Sequence, residues 1–267
     1  MESARKALLD TLDLLRDHLD SLVLVGAQAI YLHTENFSTS VAPATDDADL
    51  AVISSKLQPV PAIEIVLEAS GYTSSESGDP GTWITSEGVQ VDLMTSRSQG
   101  NRISVNARGA SINGHSKNAI RISDGLEACL IDFTKFEIGA FSDSDNRKYQ
   151  IKVANPSAIL IAKCFKIYER IENPARRNNK DSFDVYRILA GTPMLNLSSS
   201  LRDLRDREQV GTEVRIGLDY FEQLFARSLE SPGVVAVGET VRGIDNENRY
   251  KVSALALAKE LLKLLED

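Results

Sequence analysis

Apolar and polar positions along the chain change period several times, and each change marks an element. Ala4, Leu8, Leu12, Leu15 and Leu19 recur at helical spacing with Arg, Lys and Asp between them. That spacing predicts an amphipathic helix lying on the rest of the protein. The wholly apolar "SLVLVG" predicts a short buried strand ending at Gly26, and "AQAIYLHT" a helix opening directly after it. "DADLAVI" predicts a second strand, and Pro61 to Ala69 another helix, closed by Gly71. "TWITSEGVQVDLMT" holds two β runs around Glu87-Gly88 and predicts a hairpin whose second strand carries Asp92. From 101 to 153, short β-like runs such as "AIRIS" and "YQIKVA" alternate with Gly, Asp, Asn and Ser breaks.

The pattern changes at Asn155-Pro156. Asn at a cap position and Pro at the first helical position mark a helix start. Beyond it, helical spacing predicts helices at 156–172, 179–190, roughly 205–229 and 252–266. The expectation is an α/β (α+β) domain with a mixed sheet over 1–154, followed by an α-helical domain over 155–267.

Composition narrows this picture. The chain has 267 residues, 42% hydrophobic and 25% charged, which suits a soluble protein with a real core. Its net charge of −8 argues against non-specific coating of nucleic acid, so any such contact would need a local basic patch. Cys129 and Cys164 lie in apolar surroundings and read as buried free thiols in a reducing compartment. No Cys/His spacing supports zinc. The N-terminus lacks a secretory apolar run and no segment reaches membrane-spanning length, so a cytoplasmic protein without membrane contact is expected.

Asp46, Asp47 and Asp49 crowd into four residues at the start of an apolar strand. Asp47 and Asp49, two apart on a strand, point to one face. Converging carboxylates need a cation, a basic neighbour or solvent to offset their repulsion. The turn at Gly26-Ala27 opens a helix whose free backbone N–H groups and positive dipole end suit a triphosphate. Asp92, on a later strand, is placed to complete a second metal site or to take a proton from an attacking hydroxyl.

In the helical half, Lys163, Lys166 and Arg170 fall at i, i+3 and i+7 on one helix face. Lys180 and Asp184 share a face of the next helix, with Asp181 beside them. Arg176 and Arg177 lie in the polar "ENPARRNNKD" connection, where they are candidates for a polynucleotide's phosphates.

The glycine turn, Thr45-Asp46-Asp47-Ala48-Asp49-Leu50 and Asp92 together resemble the polymerase-β-like nucleotidyltransferase superfamily. "NPSAILIAKCFKIYER" followed by "KDSFDVYRIL" is similar to its AbiEii-type toxin branch, and the likeness spans roughly residues 20–190. The resemblance implies a Mg-dependent enzyme that moves a nucleoside monophosphate from an NTP to an acceptor. Asp47, Asp49 and Asp92 would hold a two-metal site, with Asp92 the alternative base. Gly26, Ala27 and Thr45 would meet the nucleotide. The resemblance also implies catalytic roles for Lys163 and Asp184 and nucleotide contacts for Lys163, Lys180 and Asp181, with Lys163 and Lys180 neutralising the triphosphate. It further implies an RNA acceptor such as the tRNA 3′ end, bound through Lys166, Arg170, Arg176 and Arg177, and a cognate antitoxin. Ala27 stands where the superfamily often has Ser, and Pro43-Ala44 where relatives carry Arg; neither change removes a metal ligand.

Two other functions share these residues. A small molecule or a protein hydroxyl would be the acceptor in one, and the second is a non-catalytic nucleotide-binding scaffold. Each feature also has a plain structural account: Asp46, Asp47 and Asp49 as a solvated strand entry, Gly26 as a turn requirement, Asp92 as a strand-end residue facing water, and the Lys/Arg positions as a wet helix face. His18, His33 and His115 show no metal or triad spacing, and Trp83 reads as hairpin packing.

Overall fold

A computed structural model describes residues 1–76, 78–101, 107–171 and 179–266. It has a mixed sheet and several helices, an α/β class, and the chain divides into two compact units. The first comprises Met1–Ala29 and Ala44–Ala154, the second Ile30–Pro43 and Asn155–Asp267.

In the first unit, helix α1 (Glu2–Leu14) buries Ala4, Leu8, Leu9 and Leu12. It ends earlier than the leucine spacing predicts, because Arg16–Ser21 tightens into a 3₁₀ turn that delivers the chain to the sheet. That stretch carries Asp, His and Ser, residues that gain little from continuing a helix. Strand β1 (Leu22–Leu24) and helix α2 (Gly26–His33) follow as expected, with the helix beginning at the glycine itself. Strand β2 (Asp47–Val52) alternates half-buried Asp47 and Asp49 with buried Ala48 and Leu50. Helix α3 (Ile63–Ala69) precedes the two-residue strand β3 (Thr73–Ser74).

The predicted hairpin forms from β4 (Thr82–Ile84) and β5 (Gln90–Thr95). Gly88, at φ +79°, donates to the carbonyl of Thr85 at 2.9 Å within its turn. The short β6 (Arg121–Ile122) lies in the "AIRIS" run, and β7 (Phe133–Gly139) pairs antiparallel with β8 (Lys148–Ala154). The described strands form one sheet in the order β3-β4-β5-β2-β1-β8-β7, with β6 also pairing β5. Strands β2 and β5, β5 and β6, and β1 and β8 are parallel, whereas β1–β2 and β4–β5 are antiparallel. Trp83 is buried and donates its ring N–H to the carbonyl of Ala119 at 3.1 Å.

The second unit is helical beyond residue 154. Helix α4 (Pro156–Arg170) starts with proline in its first turn, and α5 (Asn179–Gly191) follows. Helix α6 (Met194–Arg205) falls where no helix was predicted, since Ser198–Ser200 weakens its pattern. The helix expected at 205–229 is α7 (Gly211–Phe221), extended by one π turn over Glu222–Ala226. Helix α8 (Pro232–Thr240) was also unpredicted. Its valines and glycines favour other conformations, but Val234 and Val237 are fully buried, so packing decides. Helix α9 (Glu247–Glu266) closes the unit.

Cys129 and Cys164 are free and buried, and burial pushes both thiols upward in pKa. Among the described residues, no helix is long and apolar enough to cross a membrane.

Candidate active site

Local geometry at the end of β1 starts from the backbone. Leu24 pairs with Leu50, and the Val25 amide donates to the Asp49 carbonyl at 3.0 Å, so the chain leaves β1 alongside Asp49. Gly26 then adopts φ +69° and opens α2. A Cβ at this position would lie 2.8 Å from Cγ of Asp49 and would collide with its carboxylate oxygen. Glycine is therefore required twice, for the left-handed backbone and for the close approach of a carboxylate. Ala27 buries its methyl, so only its backbone is available at the turn.

Strand register brings the aspartates together. In the parallel β2–β5 pair, Asp47 lies opposite Gln90 and Asp49 opposite Asp92. Because alternate strand residues share a face, Asp47, Asp49, Gln90 and Asp92 all project to the same side. Thr82, opposite Asp92 across β4–β5, joins them. Asp46 is exposed and outside the strand.

The first two aspartates sit at the rim and the third lies deeper. Asp47 and Asp49 are half-buried, and the buried Thr45 donates its hydroxyl to Oδ1 of Asp47. Gln28 ties the strand entry to α1, donating to the Asp47 carbonyl and the Ala4 carbonyl, each at 3.2 Å, while Arg5 donates to its Oε1 at 2.9 Å. Asp92 is buried. Its Oδ1 accepts from the Thr82 hydroxyl at 2.7 Å; its Oδ2 accepts from the Gln90 amide at 3.1 Å and from Arg121 Nη2 at 3.2 Å.

These arrangements bear directly on a divalent cation. Among the described residues, no three His, Cys, Asp or Glu side chains are grouped closely enough to hold a metal. Mg²⁺ binds through one or two carboxylates and takes its remaining oxygens from water and substrate phosphates. Asp47 and Asp49, accessible and on one face, fit that requirement. Asp92 does not fit as a third ligand while Arg121, Gln90 and Thr82 engage its oxygens.

The second unit holds a separate ionic cluster. Lys163 is buried in α4 and donates to Asp181 Oδ1 at 2.6 Å and to Asp184 Oδ2 at 2.7 Å, both on α5 and both buried. Lys166 stands 3.2 Å from Asp181 Oδ1, and Arg170 reaches Asp181 Oδ2 at 3.4 Å. Burial alone would lower the Lys163 ammonium, but Asp181 and Asp184 outweigh it and hold the group well above the usual lysine range. Burial alone would raise the Asp181 carboxyl, but Lys163, Lys166 and Arg170 outweigh it and hold the group well below the carboxylate range.

Lys163, expected at a triphosphate, thus points into an internal salt bridge. Asp181, expected at a nucleotide, and Asp184, expected to be catalytic, are its partners. Lys166 and Arg170, expected at an acceptor, converge on the same Asp181. Lys180 is half-buried in the first turn of α5. Arg176 and Arg177 lie outside the described residues.

Arg121 is not signalled by the local sequence, since only the β5–β6 pairing brings it to Asp92, whereas the hairpin around Glu87-Gly88 already sets Thr82 across from Asp92. Gln90 was findable, being two residues before Asp92 on the same strand. Comparison of the chain with protein-family models, curated proteins and solved structures found no match.

Proposed function

We propose that the chain is a Mg-dependent nucleotidyltransferase of polymerase-β-like fold, acting from the carboxylate face of the first unit. The observation that carries the reading is the packing of Gly26 against Asp49, in register with Asp92 on the neighbouring strand. A glycine turn pressed against a paired-carboxylate strand puts helix N–H groups and metal-binding oxygens next to each other. A nucleoside triphosphate needs both, one to accept its phosphate oxygens and the other to hold its cation.

In this reading an acceptor hydroxyl attacks the α-phosphorus of the NTP and gives its proton to water, the bond from the α-phosphorus to the oxygen bridging to the β-phosphate breaks, and pyrophosphate leaves. Asp47 and Asp49 would hold one Mg²⁺, whose contribution is neutralisation of phosphate charge. The Gly26-Ala27 backbone orients the triphosphate tail. Thr45 fixes the Asp47 carboxylate by its hydroxyl. Catalysis is mainly positioning and charge neutralisation.

An RNA acceptor, with the tRNA 3′ end as first candidate, and an antitoxin partner come from the AbiEii-type resemblance alone. Lys163, Lys166 and Arg170 do not add to them, because all three are turned to Asp181. The test is incubation with each α-labelled NTP, Mg²⁺ and total RNA, beside Asp49→Asn. Label on RNA that disappears in the variant supports the reading. Label on protein instead moves the acceptor to a protein hydroxyl, and no label in any arm counts against transfer.

A further inference from the structure

Asp92 stands where a second metal would require a ligand, but a cation already holds it. Arg121 Nη2 lies 3.2 Å from Asp92 Oδ2, and Arg121 Nη1 lies 3.2 Å from the Thr82 hydroxyl. That hydroxyl spends its own proton on Asp92 Oδ1 at 2.7 Å. The three side chains close a ring: Arg121 donates to Thr82 and to Asp92, and Thr82 donates to Asp92. With Gln90 added, three of the roughly four lone-pair sites of the carboxylate are used.

The position of the arginine is built into the fold. Met94, two residues beyond Asp92 and on the same face, pairs with Arg121 across β5–β6. Gly81, at φ +70°, lets three backbones converge: a Cβ there would collide with the Leu93 carbonyl and the Arg121 amide. On its other edge β6 is held by Ile122, which donates to the Arg108 carbonyl at 2.7 Å. The Arg121 side chain keeps 28% of its surface, whereas that of Asp92 keeps 8%.

We infer that Arg121 is the fixed cation of this centre, standing in for a second divalent metal. The centre loads one divalent ion, at Asp47 and Asp49, and the partly exposed Arg121 side chain supplies the remaining positive charge to a bound phosphate. A guanidinium suits this task because it stays charged at every working pH and presents donors in a planar fork. Like charge also keeps a second metal away from Asp92. This inference rests on the nucleotidyltransferase reading, and the test separates the two.

The test is titration of the full chain with Mn²⁺, counting free ions by their EPR signal, in wild type, Asp49→Asn, Arg121→Gln and Arg121→Lys. Arg121→Gln keeps a hydrogen-bond donor for Asp92 and removes the charge; Arg121→Lys keeps the charge. The expected result is one Mn²⁺ in wild type, at least tenfold weaker in Asp49→Asn, and one in Arg121→Lys. Arg121→Gln should take up two, the second lost when Asp92→Asn is added. Two ions in wild type, or one in Arg121→Gln with its circular dichroism intact, would overturn the role of Arg121 and leave the nucleotidyltransferase reading standing. If Arg121→Gln does not fold, Arg121→Lys decides: one ion supports the role of the charge, and two would overturn it. No ion in wild type would overturn both.

Discussion

Asp47 and Asp49 sit half-buried on a strand of the first unit, while Asp181 and Asp184 sit on a helix of the second at 4% and 2% exposure. Both are closely spaced aspartate pairs, and both read as chemistry in the sequence. They differ in what burial demands. A buried carboxylate must be matched by a cation within the protein, and Lys163 meets two of them at once. A carboxylate at the surface can exchange its partner with solvent and so can bind a ligand. The comparison teaches that an acidic motif can serve as a site only where it keeps access, and that the same residues fully enclosed become part of the core.

Substitution should separate the two clusters most sharply. Lys163→Ala leaves two buried carboxylates without their shared partner and should cost roughly 3–5 kcal/mol of unfolding free energy. Asp47→Asn, at the rim, should change stability by less than about 0.5 kcal/mol. Urea unfolding of the two variants reads this directly; equal losses would erase the distinction. Gly26→Ala comes next. Its left-handed backbone alone should cost about 1–2 kcal/mol, and the methyl must also push the Asp49 carboxylate aside. Asp49→Gly combined with Gly26→Ala should recover the steric part and leave the backbone part.

A pH effect of smaller size belongs to neither cluster. The His115 side chain is buried; its Nδ1 accepts from the Ile63 amide at 3.2 Å and its Nε2 donates to the Gln58 carbonyl at 2.9 Å. Burial lowers its pKa, and His18 adds to that, against the Gln58 carbonyl and Glu64, which raise it. The unfolded chain therefore takes up the proton first as pH falls below about 6.5, and stability drops from there until the folded group titrates too. Unfolding free energy measured from pH 7.5 to 5 should lose this slope in His115→Gln. The smallest effect is expected from Lys166→Ala. Its 40% exposed side chain makes an ion pair worth about 0–1 kcal/mol, far below that of Lys163.

Much of the first cluster could be read from the chain. The alternation of Asp47 and Asp49 with Ala48 and Leu50 defines a two-faced strand, and the apolar run before Gly26 defines the turn. What stayed hidden was non-local. Arg121 lies in a short β run like any other until strand pairing sets it two residues along from Asp92. In the second unit, helical spacing correctly aligned Lys163, Lys166 and Arg170, but spacing does not reveal burial, and Lys163 turns inward. Helices α6 and α8 were missed for a related reason. Their serine, valine and glycine content opposes helix locally, and tertiary packing overrides it.

The proposed function requires Asp47 and Asp49 to form a cation-dependent nucleotide site. Calorimetric titration of an equimolar NTP mixture into the full chain, with and without Mg²⁺, tests it most directly, with Asp49→Asn and Lys166→Ala alongside. Binding that requires Mg²⁺, falls at least tenfold in Asp49→Asn and is unchanged in Lys166→Ala is the predicted result. Nucleotide binding that ignores Mg²⁺ and Asp49, or no binding to wild type at all, would contradict it.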